Sequence, residues 1–226
     1  MKIAIISDIH SNLPALEAVL ASIDREGCEQ IYCLGDVVGY GAHPNEVIEL
    51  LISQQIPTVL GNHDAAVLGR VDLNNLNAFA RLAIMWTEQV LSADHKRWLS
   101  HLPILRTIPE ALIVHSSPLE PENWDYIFTL SEAKRAFPHF NEKFCFIGHT
   151  HFPQFFSDSV SGKKIVNVGS VGQPRDRDPR ACYIIFYPLS REFQWVRVDY
   201  DVERAIASIV SSGLPPFLGD RLRRGT

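Results

Sequence analysis

The sequence has little cysteine, no excess of basic residues and no long apolar run. Its four cysteines in 226 residues form no C-x-x-C pair, which disfavours a disulfide framework or a thiolate metal site. The net charge of −5 disfavours a nucleic-acid-binding protein, because phosphate contacts require a basic surface. No stretch approaches ~18 consecutive apolar residues, and no signal-peptide core follows Met1. We therefore expect no membrane association and a cytoplasmic location.

The remaining composition is that of an ordinary globular protein. Hydrophobic residues make up 46% of the chain and charged residues 21%, which excludes disorder, collagen and coiled coil. At roughly 150 residues per domain, the length predicts a single domain over residues 1–226.

Hydrophobic periodicity divides the chain into two halves. Strands are predicted at residues 2–7, 31–34 and 56–60, with helices from Leu13, over 44–53 and over 76–91 between and after them, which implies a mostly parallel sheet. Beyond residue 103, strands are predicted at 104–108, 111–115, 144–147, 153–157, 164–168, 181–187 and 193–198. Their close spacing predicts hairpins and a second, more antiparallel sheet. Helices are predicted near 131–137 and 202–211, so we expect two packed sheets with helices outside.

Polar residues follow five of the apolar runs directly. These motifs are Asp8-Ile9-His10, Gly35-Asp36, Gly61-Asn62-His63-Asp64, His115, and Gly148-His149-Thr150-His151. Each alone is consistent with an ordinary turn or helix cap. Together they are specific, because ligands in open α/β sheets bind outside the carboxyl ends of the strands. We therefore expect the five motifs to meet at one edge of the fold.

These motifs provide carboxylate, amide oxygen and imidazole ligands but no thiolate. The candidate metal ligands are Asp8, His10, Asp36, Asn62, His115, His149 and His151. Imidazole suits Zn, Fe, Ni and Mn better than Ca or Mg. Seven ligands exceed the four of a tetrahedral ion and fit two ions ~3.5–4 Å apart that share a carboxylate. With a bridging hydroxide, such a centre keeps about one net positive charge, which suits a phosphate ester.

This ligand set predicts a reaction. A metal-bridging hydroxide would attack phosphorus in line. His63 is then free to act as the general acid that protonates the leaving alkoxide, and Asp64 could orient it.

The ordered series of motifs resembles the calcineurin-like metallophosphoesterase superfamily, and in size its small bacterial and archaeal phosphodiesterase branch. The resemblance runs from residue 8 to residue 151. It implies an α+β fold, a four-layer αββα sandwich in which two mixed β-sheets pack face to face with helices on both outer sides. It also implies two divalent transition-metal ions, with Mn²⁺ expected and Fe, Ni or Zn as alternatives.

The resemblance also implies a role for each matching residue. Asp8, His10 and His151 would hold the first metal, Asp36 would bridge, Asn62, His115 and His149 would hold the second, and His63 would be the catalytic histidine paired with Asp64. The sequence departs from the family in having Ser116 where many relatives have glycine. It also lacks a long substrate-recognition insertion.

Without such an insertion, specificity must come from nearby loops. We consider Asn62, Tyr40 and Arg175 candidate substrate-binding residues, since arginine can clamp a phosphate. Tyr40 as an apolar turn contact and Arg175 as a surface residue are the structural alternatives. The apolar tail at 214–218 covers either the fold or a partner subunit, and the sequence does not decide between them.

The leading functional hypothesis is a phosphodiesterase for a small molecule. A protein serine/threonine phosphatase and a dinucleoside polyphosphate hydrolase are the alternatives within the same chemistry. A non-catalytic scaffold with the same fold is the alternative of a different class. A nuclease is disfavoured by the net charge of −5.

Overall fold

The computed structural model describes residues 1–226 apart from the side chain of Asn75. The strands are β1 Ile3–Ile6, β2 Gln30–Cys33, β3 Leu105–Ile108, β4 Ala111–Val114, β5 Phe144–Ile147, β6 Gln154–Ser157, β7 Lys164–Asn167, β8 Ala181–Tyr187 and β9 Glu192–Val198. The helices are α1 Leu13–Glu26, α2 Pro44–Ser53, α3 Asn62–Val67, α4 Ala78–Val90, α5 Ala93–Ser100, α6 Leu130–Ala136, α7 Val202–Ser211 and α8 Pro216–Arg224.

The strands form two mixed sheets with the orders β2-β1-β8-β9 and β3-β4-β5-β7-β6. In the first sheet only β1 and β2 are parallel. In the second, β5 lies parallel between β4 and β7, and the two outer pairs are antiparallel. The expected contrast between a parallel first sheet and a more antiparallel second sheet is therefore wrong. The reason is that the β8–β9 hairpin returns to the first sheet instead of extending the second.

Successive side chains of a strand point to opposite faces of its sheet, and those that point inward form the central layer of the sandwich. In β1, Ile3 and Ile5 face the second sheet, while Ala4 and Ile6 face outward. In β5, Phe144 and Phe146 point into the same central layer. Both faces of these strands are apolar because each sheet is covered on both sides, by the other sheet and by helices.

Helices cover the two outer faces. On the first sheet, α1 and α2 bury apolar residues that include Leu16, Val19 and Leu51. On the second sheet, α6 and the turn after it bury Ala133 and Phe137 against the outer sides of β4 and β5. This arrangement confirms the predicted α+β sandwich of two mixed sheets between helical layers.

Residues 56–60 are not a strand, contrary to the prediction. They make a single parallel bridge, between Thr58 and Cys33. Cys33 donates its backbone N–H to the Pro57 carbonyl, and Val59 donates to the Cys33 carbonyl. Pro57 has no N–H, so it cannot donate to a ladder.

Two helices near the end of the chain cover the surface around α4. The tail at 214–218 leads into α8, in which Leu218 and Leu222 lie four residues apart and are buried together with Leu214. They pack on Ile206 and Ile209 of α7. The apolar tail therefore covers its own fold. Within the described part of the chain, no helix combines the length and apolar character that crossing a membrane requires.

Candidate metal centre

The five polar motifs meet at one edge of the sandwich, as the sequence predicts. They follow β1, β2, the bridged segment 56–60, β4 and β5. Every candidate metal ligand is at most 6% exposed: Asp8, His10, Asp36, Asn62, His115, His149 and His151. A cluster of charged and imidazole side chains buried this deeply needs partners that compensate for lost hydration.

Asp8, His10 and His151 form the first group of potential metal ligands. Their ligand atoms lie within 4.8 Å of one another. The Asp8 Oδ1 atom is 3.2 Å from His151 Nε2 and 3.8 Å from His10 Nε2. The two Nε2 atoms are 3.2 Å apart.

Asp36, His115 and His149 form a second group with the same 4.8 Å limit. Asn62 joins it, because its Oδ1 atom lies 3.1 Å from His115 Nε2. Asp36 lies between the two groups: its Oδ2 atom is 3.4 Å from His115 Nε2 and 3.6 Å from His10 Nε2. This is the position that a bridging carboxylate would occupy.

Backbone carbonyls fix the orientation of the four imidazoles. In His10, His115 and His151 the Nδ1 atom donates to a carbonyl and Nε2 points into the centre. The acceptors are Val38 (3.2 Å), Leu34 (2.8 Å) and Gln173 (2.5 Å) in that order. His149 is reversed, since its Nε2 bonds the Trp124 carbonyl at 2.8 Å and leaves Nδ1 free. Such outer hydrogen bonds select the tautomer of metal-binding histidines.

The donor set fits divalent cations. Among the described residues, the buried Asp8 Oδ1 atom has no hydrogen-bond donor, and it faces imidazole nitrogens. In the neutral tautomers set by Nδ1, the Nε2 atoms of His10 and His151 present lone pairs to each other. A cation between these atoms would satisfy all three.

For most of the candidate ligands, electrostatics favours the protonation states that metal binding needs. Burial lowers the pKa of His149 to about 3 and that of His10 well below its ordinary value. Burial alone would raise the pKa of Asp8, but the neighbouring His151 and His115 imidazoles together outweigh it and keep that pKa low. Metal ligands must be neutral imidazoles and ionised carboxylates, and these residues are so at neutral pH. His115 differs: burial opposes charge there, but the Asp36 carboxylate raises its pKa to about 9.

Five of the candidate ligands have left-handed backbone conformations. Their φ values are 54° for Asp8, 49° for His10, 49° for Asp36, 67° for His149 and 63° for His151. A residue with a Cβ atom is disfavoured there by roughly 1–2 kcal/mol. Strain of this kind persists where the surrounding structure enforces it and concentrates at functional sites.

His63 lies beside the first group of ligands. Its backbone N–H donates to Asp36 Oδ1 at 2.8 Å, and its ring lies 4.8 Å from the His10 ring. Its Nδ1 atom is buried and unpaired within the described part of the chain. Burial lowers the pKa of His63 to about 4, with Asp36 opposing the shift. Gly39, at φ 94°, makes room for the ring, because a Cβ atom there would lie 2.5 Å from His63 Nδ1.

Asp64 supports His63 through the backbone. Its carboxylate accepts the N–H groups of Val38 and Gly61, both at 3.1 Å, and so caps the start of α3. Burial raises the pKa of Asp64 to about 7. The carboxylate forms no hydrogen bond or ion pair with the His63 ring, so any orienting effect passes through the first turn of α3.

The candidate substrate-binding residues border one cavity of about 160 Å³ at the centre. Tyr40, Asn62 and Arg175 line it together with His63 and His149. The Tyr40 ring lies 4.6 Å from the His63 ring, and the Arg175 guanidinium lies 5.9 Å from the Tyr40 ring. Arg175 bonds Gln173 Oε1 at 2.9 Å and has no carboxylate partner among the described side chains. Both residues are thus at the site and not confined to a remote turn.

Sequence reasoning missed three residues around this cavity. The Tyr126 ring lines it and stacks on the His149 ring at 4.0 Å, while Trp124 supplies the carbonyl that holds His149. The guanidinium of Arg221, from α8, lies 5.9 Å from the ring of Tyr40, which also lines the cavity. The available signal was the aromatic alternation at positions 124, 126 and 128, which follows no predicted strand directly.

Comparison with known proteins identifies the family. The model of the calcineurin-like phosphoesterase superfamily domain matches residues 1–188, so the chain belongs to this superfamily. A metallophosphoesterase structure from Sphaerobacter thermophilus is 40% identical, with a TM-score of 0.88 and coverage of 100% of this chain and 99% of that one. The uncharacterized protein MJ0912 of Methanocaldococcus jannaschii is 40% identical over 99% of this chain and 98% of its own length.

A partial match extends the comparison. Phosphodiesterase YfcE of Escherichia coli strain K12 is 35% identical over 45% of this chain and 56% of its own length. The family and the site together define a metal-dependent phosphoester hydrolase with a candidate Asp/His metal centre.

Proposed function

We propose that this hydrolase is a dinuclear phosphodiesterase that acts on small phosphate esters. The position of Asp36 carries the proposal. One Asp36 oxygen lies within 3.6 Å of a nitrogen from each of two ligand groups, which is the arrangement that two cations sharing a carboxylate require.

The ligands divide between the two cations as the family resemblance implies. Asp8, His10 and His151 would hold one ion, Asn62, His115 and His149 the other, and Asp36 both. We expect Mn²⁺, with Fe, Ni or Zn as alternatives, because the set mixes imidazole with oxygen donors and contains no thiolate. Bound there, two divalent ions would offset the charge of the phosphoryl group and activate water as the nucleophile.

The remaining side chains of the cavity act on the substrate. His63 is placed to give a proton to the leaving oxygen, since its ring lines the cavity and one of its nitrogens lies within 4.8 Å of ligand atoms of His10 and Asp36. A phosphoryl group next to the ring would favour its charged form and so oppose the effect of burial. Arg175 provides a cation without a carboxylate partner at the cavity wall, and Asn62 provides an amide for a phosphoryl oxygen.

Two observations favour a small diester. The cavity of about 160 Å³ is small beside pockets for drug-sized ligands, which span about 300–1,000 Å³. It admits the phosphoryl end of a small molecule more readily than a folded protein surface. The partial relative from Escherichia coli carries the name phosphodiesterase.

Hydrolysis of paired model esters tests the proposal. Bis-p-nitrophenyl phosphate and p-nitrophenyl phosphate are compared in the presence of Mn²⁺, Ni²⁺, Zn²⁺ or Mg²⁺, with a chelator as control. We expect metal-dependent hydrolysis with the diester preferred. Preference for the monoester would favour a phosphatase. No hydrolysis by folded, metal-loaded protein would contradict the proposal and favour a non-catalytic scaffold.

A further inference from the structure

Three aromatic side chains form a partly exposed rim beside the metal centre. This aromatic rim consists of Tyr126, Phe128 and Phe152, which are 47%, 48% and 37% exposed. The Phe128 ring stacks on the Tyr126 ring, with 5.4 Å between the ring centroids and 20° between the ring planes. The Phe152 ring packs edge-on against Phe128, with a centroid distance of 6.2 Å and an interplanar angle of 74°. The aromatic rim begins at the metal centre, because the Tyr126 ring stacks on the His149 ring with 4.0 Å between their centroids and 12° between their planes.

The segment that carries the rim is fixed in place. Ile127, between the two outward rings, is 2% exposed and packs under the second sheet's outer face. Its carbonyl accepts Gln154 Nε2 at 2.9 Å, and the Phe128 N–H donates to Glu132 Oε2 at 2.7 Å. The rings are thus held outward without a cost of ordering the segment on binding.

The size of the cavity implies that part of the substrate lies outside it. A space of about 160 Å³ holds a phosphoryl group but not a complete nucleotide. A group that extends out of the cavity on the side of His149 lies next to Tyr126, since both line the cavity wall and their rings are stacked. Phe128 and Phe152 continue the rim beyond Tyr126, with their two rings roughly perpendicular to each other.

We propose that the aromatic rim binds the nucleobase of a nucleotide substrate whose phosphoryl group occupies the metal centre. The inference rests on the proposed function for the position of the phosphoryl group. Flat aromatic rings are the partners on which bases stack without sequence preference. Arg175, which also lines the cavity, complements the negative charge of the same ligand.

The area of the rim favours a base over a protein partner. At about 200 Å² for one aromatic side chain, the exposed fractions of Tyr126, Phe128 and Phe152 amount to roughly 260 Å². A stable protein interface needs about 800 Å² on each partner. A second copy of the chain would need most of its contact elsewhere.

A matched pair of ligands tests the proposal. Adenosine 5′-monophosphate and ribose 5-phosphate share the sugar and the phosphate, and only the first has a base. Their affinities for Mn²⁺-loaded protein are measured by titration calorimetry. We expect the base to improve affinity at least about fivefold, the lower end of base–aromatic stacking. In Phe128→Ala the ratio of the two affinities should fall to about one.

Phe155→Ala is the control. Phe155 is 50% exposed on β6 but packs on Phe193 and Trp195, away from the rim. It should keep the wild-type ratio. Equal affinity of the wild type for both ligands, or a ratio that survives Phe128→Ala, would overturn the rim as a base site. A dimer that Phe128→Ala dissociates would also overturn it.

The two experiments distinguish failure of the base site from failure of the proposed phosphodiesterase function. If the protein hydrolyses neither p-nitrophenyl ester but binds adenosine 5′-monophosphate through Phe128, the phosphodiesterase proposal fails and the base site stands. If it hydrolyses the diester and ignores the base, the base site alone fails.

Discussion

Replacing Asp36 by asparagine should weaken binding of both metal ions without unfolding the protein. Asparagine keeps an amide oxygen that can accept the His63 N–H, now 2.8 Å from Asp36 Oδ1. Among uncharged residues with a Cβ atom, asparagine also tolerates the left-handed backbone at φ 49° best. The change therefore removes a negative charge between the two ligand groups with little change in shape.

The expected loss follows from Coulomb's law. Two unit charges 4 Å apart interact by about 4 kcal/mol at an effective dielectric constant of 20, and a divalent ion doubles this to about 8 kcal/mol. The amide dipole and water recover part of this, so we expect a loss of at least about 3 kcal/mol in metal binding, or roughly 100-fold or more in affinity. Because Asp36 Oδ2 lies within 3.6 Å of a ligand nitrogen from each group, the binding of both cations should be weakened.

Calorimetry and elemental analysis measure this directly. Wild-type protein should take up two Mn²⁺ ions, and Asp36→Asn should retain fewer after gel filtration and lose diester hydrolysis. Asp94→Asn is the matched control, since the Asp94 side chain is 83% exposed and pairs with Arg97 at the surface. Two tightly bound ions and full turnover in Asp36→Asn would refute the assignment of Asp36 as the shared ligand.

Three further predictions concern His63, the glycine beside it and the packing of α8. His63→Ala should slow hydrolysis of esters with alkoxide leaving groups about 100-fold or more; it should affect p-nitrophenyl esters much less, and equal losses would contradict a proton-donating role. Gly39→Ala should push the His63 ring aside and lower kcat while metal content stays at the wild-type value, whereas Gly27→Ala, with no atom within 4 Å of the added Cβ, should change neither. Leu222→Ala should lower the free energy of unfolding in urea by about 2–4 kcal/mol, because Leu222 is 4% exposed, while Leu189→Ala, at 90% exposure, should leave it within about 0.5 kcal/mol of wild type.

The chemistry of the centre was readable from the sequence because it depends on local order. Each motif follows an apolar run directly, and a residue that follows a buried strand lies at the sheet edge whatever the strand order is. The predictions for the positions of Asp8, Asp36 and His115 therefore survive errors in the topology. Residues 56–60 illustrate this, since His63 reaches the centre although its supporting segment is a single bridge and not a strand.

The pairing of the strands could not be predicted from local sequence patterns. Whether the β8–β9 hairpin extends one sheet or the other depends on which edge leaves less apolar surface exposed, and that is a property of the assembled layers. The prediction of a more antiparallel second sheet failed for this reason. The helix α8 was missed because its buried stripe is short, with Leu218 and Leu222 at its centre.

The sequence by itself determined the fold class and the set of metal-binding side chains, because residue type and position after a strand are encoded locally. Only the tertiary structure decided what surrounds them. The Asp64 carboxylate caps α3 and forms no hydrogen bond with the His63 ring, and the reversed ring of His149 follows from one carbonyl, that of Trp124. The aromatic rim joins residues 126 and 128 to residue 152. Such contacts depend on loops that meet only when the two sheets are packed, and no spacing along the chain specifies them.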